Sequence, residues 1–273
     1  MRKRMERLTS RSTTGFVAAV LLAATLTSST ARTIGAPQAP SRVLVELFTS
    51  EGCSSCPPAD ELLVRLQADQ PIPGVEIIGL EEHVDYWNHD GWMDPYSGAE
   101  WTARQQDYTV RFKGASPYTP QMIVDGQREF LGNNPNAAVD VIREFAQQQK
   151  ASIDVAASVP STGETRRFDV RVGSLSASSG QVKADVWLVV AEEGLQGSAK
   201  AGENNGKSWK HAAIVRSMQK IGSATSSSAE PFVSTPQIKL KSNWKEGNLR
   251  IVVFVQERKT RRVIGVATTK VAG

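Results

Sequence analysis

Cys53-Ser54-Ser55-Cys56 sets two thiols three positions apart, and the chain has no other cysteine. The apolar run Val43-Leu44-Val45-Glu46-Leu47-Phe48 ahead of it reads as a buried strand, and Pro57-Pro58-Ala59-Asp60-Glu61-Leu62-Leu63 behind it as a helix start. A pair at that junction suits redox chemistry. The free amides of a first helical turn and the positive end of the helix dipole favour a thiolate over a thiol. On this reading Cys53 faces solvent and attacks a substrate disulfide, and Cys56 resolves the mixed intermediate. The exchange needs no organic cofactor. Two other readings of the same residues stay open: a structural disulfide in a binding module, and a copper or zinc centre in which His83, His89 or His211 joins the thiols. No second Cys-x-x-Cys accompanies the pair, so no metal is assigned.

Two further stretches carry reactive side chains. His83 to Tyr96 is rich in aromatics and acids. It is expected either to wall a substrate groove, with Trp87 and Trp92 as contacts and His83 or Asp85 as a proton-transfer group, or to bury its rings as core. Gly202-Glu203-Asn204-Asn205-Gly206-Lys207-Ser208 has one residue too few between its glycines for a phosphate loop. It reads as a flexible loop or an inter-domain contact.

The elements that must position these residues follow from periodicity. Residues 43–48 and 75–80 read as strands, 57–69 and about 97–112 as helices. Two short strands flank Asp125-Gly126, a hairpin signal, and Asn134-Pro135 starts a helix with Ala138, Val141, Ile142 and Phe145 on one stripe. The order βαβαββα over residues 42–149 is that of a thioredoxin-type α/β domain with a mixed sheet. From residue 150 the pattern alternates with period two, through runs at 152–155, 167–172, 184–190, 249–255 and 263–267, which predicts an all-β sandwich-like domain over 150–273. Ser223 to Ser228 reads as a mobile loop.

The N-terminus reads as a targeting segment. Five bases precede a short apolar run, Gly15 to Leu26, and Ser29-Thr30-Ala31 resembles a cleavage site. A signal peptide over 1–31 and a leader over 32–41 are expected, with a periplasmic or secreted mature chain and no later membrane span. Residues 1–31 hold five of the 32 basic residues and one of the 28 acidic ones, so the remainder balances at 27 against 27. That balance gives no support to nucleic-acid binding. The expected partner is a protein or small thiol or disulfide.

Thr119-Pro120-Gln121, followed by an apolar strand and the Asp-Gly hairpin, resembles the glutaredoxin and thioredoxin pattern. Glu46 to Ala59, His83 to Trp87, Gly91-Trp92, Asp94-Pro95 and Tyr118 to Met122 together resemble a family of secreted bacterial thioredoxin-like proteins that carries a domain-of-unknown-function label. The resemblance implies a cis Pro120 beside the dithiol, with Thr119 and Pro120 holding the substrate chain. It also implies a buried acid under the cysteines as a proton relay, for which Glu46 is the candidate. The sequence departs from better-known relatives in having Gly52 before the first cysteine and Ser54-Ser55 between the two. Leu131-Gly132-Asn133-Asn134 stands where glutaredoxins hold glutathione, and it lacks their glycine pair.

Overall fold

The computed structural model describes residues 39–271 apart from 90, 113–115, 159–162 and 177–180. The expected signal segment and residues 32–38 of the leader lie outside the described residues, and the leader's last residue, Ser41, already belongs to the first strand. Among these residues no helix is long and apolar enough to cross a membrane.

The first half is built as the apolar runs dictate. β1 (Ser41–Thr49) is followed by α1 (Pro57–Asp69) and β2 (Val75–His83), and β1 and β2 pair in parallel from Ser41 opposite Val75 to Thr49 opposite His83. β2 runs three residues beyond the apolar stretch because Glu81, Glu82 and His83 are buried and keep the ladder. α2 (Ala99–Thr109), the hairpin β3 (Gln121–Val124) and β4 (Arg128–Leu131), and α3 (Pro135–Ala146) follow. Asn134 caps α3 by accepting from the Ala137 amide at 3.1 Å, and Pro135 occupies the first turn. The hairpin requires its glycine. Gly126 has φ +64°, and a Cβ there would collide with the Arg261 carbonyl.

Apart from one 3-10 turn (Glu246–Asn248), the described elements of the second half are strands: β5 (Ile153–Ser158), β6 (Thr165–Val172), β7 (Lys183–Glu193), β8 (Gln196–Ser198), β9 (Ser208–Lys210), β10 (Ala213–Thr225), β11 (Phe232–Ser234), β12 (Gln237–Lys239), β13 (Leu249–Glu257) and β14 (Val263–Lys270). Four of these continue the sheet of the first half. One mixed eight-stranded sheet runs β4-β3-β1-β2-β10-β7-β13-β14, accompanied by a small antiparallel sheet around β6 and the β8–β9 ribbon. Ser223 to Thr225, expected in a mobile loop, instead pair with Asp185 to Lys183 at the end of β10. The sequence hid β10 because register shifts after Val215 and Lys220 break its alternation.

Packing joins the two halves. Alternate residues of β7 and β13, such as Leu188 and Val253, meet Phe168, Val170 and Ile238 of the small sheet in a sandwich-like core. Their opposite faces, through Val189, Val252 and Phe254, pack with Leu44, Ile78, Leu80 and Trp101 of the first half. α1 and α3 cover the other side of the parallel strands, against Val43, Val45 and Leu47.

Candidate functional site

Thr49 ends β1, and the chain turns through Ser50-Glu51-Gly52. The Cys53 amide donates to the Ser50 carbonyl and the Cys56 amide to the Cys53 carbonyl, each at 3.2 Å. This turn brings the cysteine Cα atoms to 5.4 Å, and the sulfurs are joined in a disulfide. Cys56 caps α1, and Pro57 takes a position where an N–H would have no helical partner.

The exposure of the pair differs from the sequence expectation. Cys53 does not face solvent: both cysteines are 0% exposed, while Ser54 and Ser55 between them are open. The turn at 202–206 contributes the cover. Asn204, fully buried, donates its side-chain amide to the Glu51 carbonyl at 3.0 Å and the Cys53 carbonyl at 2.8 Å. The Glu203 carboxylate accepts from the Ser54 amide at 3.3 Å, and Lys207 Nζ donates to Asn204 Oδ1 at 2.9 Å. The glycine- and asparagine-rich segment is therefore a fitted cover over the dithiol turn.

Thr119–Pro120 is cis. Trp87 links it to the cysteines. Its indole Nε1 donates to Thr119 Oγ1 at 2.8 Å, and its Cβ would lie 3.1 Å from a Cβ placed on Gly52. Pro120 and Ala59 of the first α1 turn both crowd Gly132, each 3.2 Å from where its Cβ would stand. Cys53, Cys56, Trp87, Thr119 and Pro120 thus gather in one region.

Glu46 is placed elsewhere. Even-numbered residues of β1 face away from α1, so its carboxylate lies on the α2 side. There Arg104 Nε donates to it at 2.7 Å and Tyr108 Oη at 2.5 Å. Glu82 shares Arg104 at 3.3 Å, and burial holds its carboxyl well above the usual range, with Arg104 opposing. The buried acid in the first turn after the cysteines is Asp60. Its amide donates to the Cys56 carbonyl at 3.1 Å and its Oδ1 accepts from Thr49 Oγ1 at 2.7 Å. Its Oδ2 is buried with no hydrogen-bond partner. Burial, then the nearby Glu81 charge, pushes the Asp60 pKa up to about 7 against the pull of His211 and His83.

Beside this region lies a closed circuit of buried charge. His83 Nδ1 meets Asp94 Oδ2 at 2.7 Å, and its Nε2 lies 3.9 Å from Glu81. Glu81 Oε2 meets His211 Nδ1 at 2.7 Å, and His211 Nε2 lies 3.6 Å from Glu51. The Glu51 amide returns to Asp94 Oδ2 at 2.8 Å. Trp92, one of the aromatics read as a groove wall, donates to the Glu51 carboxylate at 2.9 Å. Burial alone would lower the His83 pKa, but the Asp94 carboxylate and Glu81 outweigh it and raise it to about 9. Burial likewise opposes the charge of His211, and Glu81 and Glu51 hold its pKa well above the ordinary value. Conversely, burial raises the acids while the imidazoles more than offset it, leaving Glu81 and Asp94 each at about 2.

Sequence reasoning singled out His83 and His211 separately and missed Glu81, Asp94, Glu51 and Asp60 as their partners. The one local signal was the run Glu81-Glu82-His83 directly after an apolar strand. Asp85 accepts from Thr102 Oγ1 at 2.6 Å and takes no part in the circuit, and His89 is exposed.

These features define a mixed α/β protein with a covered Cys-x-x-Cys disulfide beside a buried imidazole–carboxylate circuit. The chain belongs to the family described as protein of unknown function DUF1223, whose pattern matches residues 44–256. That span contains the dithiol, its cover and every member of the circuit. Among solved structures, the chain is similar to an X-ray crystal structure of a protein from Agrobacterium tumefaciens, at 26% identity and TM-score 0.63, over 86% of this chain and 96% of that one. It shares its fold with HBP35 of Porphyromonas gingivalis at 14% identity and TM-score 0.58, over 86% of this chain and 76% of that one. No curated protein matches the sequence.

Proposed function

We propose that the protein is an exported thiol–disulfide oxidoreductase in which residues 42–149 form a thioredoxin-like unit. The observation that carries the reading is the Cys53–Cys56 pair capping α1 directly ahead of a buried acid with an unpartnered oxygen, Asp60. In the reduced state the Cys53 thiolate attacks a substrate disulfide, forming a mixed disulfide and releasing one substrate thiolate. Cys56 gives its proton to Asp60 Oδ2 and attacks the Cys53 sulfur. The second substrate thiol leaves, and the Cys53–Cys56 bond is restored. Two electrons pass to the substrate, and the reverse sequence oxidises a substrate dithiol. Trp87, Thr119 and Pro120 flank the pair and would seat the substrate chain. Because Cys53 is covered, exchange requires the 202–206 turn to move aside.

The test is trapping. Cys56→Ala is expected to accumulate mixed disulfides through Cys53 in a periplasmic extract, since nothing remains to resolve them, and Cys53→Ala to accumulate far fewer. Trapping by neither variant, with equal alkylation rates at both thiols, would sink the proposal. The complete burial of both sulfurs favours a second reading, a binding module stapled by a structural disulfide.

A further inference from the structure

We propose that Glu81, His83 and His211 form a binding site for a first-row divalent cation, with Zn²⁺ the best fit to the donor set, independent of the cysteines. One ligand atom from each residue can be chosen so that all lie within 4.8 Å of one another. Tetrahedral zinc with bonds of about 2.0–2.2 Å places its donors roughly 3.4 Å apart, so the widest pair must close by about an ångström on binding. All three side chains are buried, at 0%, 1% and 3% exposure.

Three observations point to a ligand rather than a self-sufficient ion cluster. First, His83 Nε2, 3.9 Å from Glu81 Oε2, is buried without a hydrogen-bond partner. An imidazole N–H so placed carries a desolvation cost, which is relieved when a cation displaces its proton. Second, the His83 ring is held through its other nitrogen by the Asp94 carboxylate at 2.7 Å, and His211, ligating through the Nδ1 that faces Glu81, has the Glu51 carboxylate 3.6 Å from its Nε2. Carboxylate-oriented imidazoles are the usual outer support of zinc ligands. Asp94 is itself fixed by the Glu51 and Tyr96 amides at 2.8 and 2.9 Å, so the His83 ring has little freedom. Third, a route in exists. His211 and Tyr96 line an open cleft of about 780 Å³ bordered by Val64 and Gln67 of α1 and Gln196 of β8.

Glu81 accepts from the Ala212 amide through Oε1 and meets His211 Nδ1 through Oε2. A cation seated between Glu81 Oε2 and His211 Nδ1 takes the place of the proton they share, while the Ala212 amide keeps Oε1 in position. The donor set of two imidazoles and a carboxylate matches zinc. The thiols are tied to each other in the disulfide and contribute nothing to it.

The test uses the purified full chain in its disulfide form, titrated with Zn²⁺ against a chromophoric chelator. One Zn²⁺ per chain is expected, with affinity lowered at least about tenfold in His83→Ala and in His211→Ala and unchanged in the Cys53→Ser, Cys56→Ser double variant. Should the histidine variants fail to fold, Co²⁺ added to the unaltered oxidised protein is expected to give d–d bands of nitrogen and oxygen ligands without a thiolate charge-transfer band. No Zn²⁺ retained by the disulfide form would overturn the site. So would a cobalt spectrum that develops only after reduction and carries thiolate bands. Neither outcome bears on disulfide exchange, which the trapping variants test separately.

Discussion

Asp60 is the residue on which the proposed chemistry of the pair turns. Its folded pKa, about 7 against 3.8, lies above the unfolded value, so the native state binds the extra proton between those limits. Stability conferred by that group is highest below about pH 4 and falls as pH rises through 7. Asp60→Asn keeps an oxygen to accept from Thr49 and cannot ionise. It is expected to gain stability relative to the parent between pH 5 and 8, by as much as roughly 4 kcal/mol at full titration. Denaturant melts at the two pH values measure this, and a pH-independent difference would count against a protonated Asp60. If Asp60 also receives the Cys56 proton, the same variant slows exchange with a thiol substrate and flattens its pH profile near 7. Gly132 is a second sensitive point. A Cβ there would stand 2.8 Å from Leu47 Cδ1 and 3.2 Å from both Ala59 and Pro120, so Gly132→Ala is expected to cost about 1–3 kcal/mol in chemical denaturation.

Among the elements, the covering turn decides access. Asn204 supplies two buried hydrogen bonds to the dithiol turn, and its loss weakens the closed state by about 1–2 kcal/mol. Asn204→Ala is expected to speed reduction of the Cys53–Cys56 bond by a bulky phosphine roughly tenfold while leaving the fold intact. An unchanged rate would mean that the cover is not what shields the sulfurs. Much at this scale was legible in the sequence. The strand–dithiol–helix order, the Asp125-Gly126 turn and the Asn134-Pro135 cap are local signals, and each was read from adjacent residues. β10 was not legible, because its bulges and half-buried polar residues, Arg216 and Gln219 among them, erase the period-two pattern. The cover stayed open between two readings for a different reason: its glycines suit a flexible loop and an inter-domain contact equally well, and only the burial of Asn204 separates the two.

Across the whole molecule, the candidate site is shared by both halves of the chain. His211 lies 130 residues from its partner Glu81, and Asn204 lies 151 from Cys53. No window of sequence holds both ends of such a contact, and buried charges resemble surface charges until their partners are known. The same sharing governs stability. β10 enters the sheet beside β2 at Ile214 opposite Glu81, and Val189, Val252 and Phe254 complete the core around Leu44 and Ile78. A fragment spanning 39–149 would expose that apolar face and the β2 edge. It is expected to be aggregation-prone, with poor dispersion in its amide spectrum, and a sharp cooperative melt from it would mean that the first half folds alone.

The most direct measurement of the proposed exchange function is the reduction potential of the Cys53–Cys56 pair in the intact chain, read by mass-shift alkylation across a set of dithiothreitol redox buffers. A catalytic pair is expected between about −120 and −270 mV, the span of known exchange proteins. A value below about −300 mV would contradict it and leave the disulfide as a structural staple.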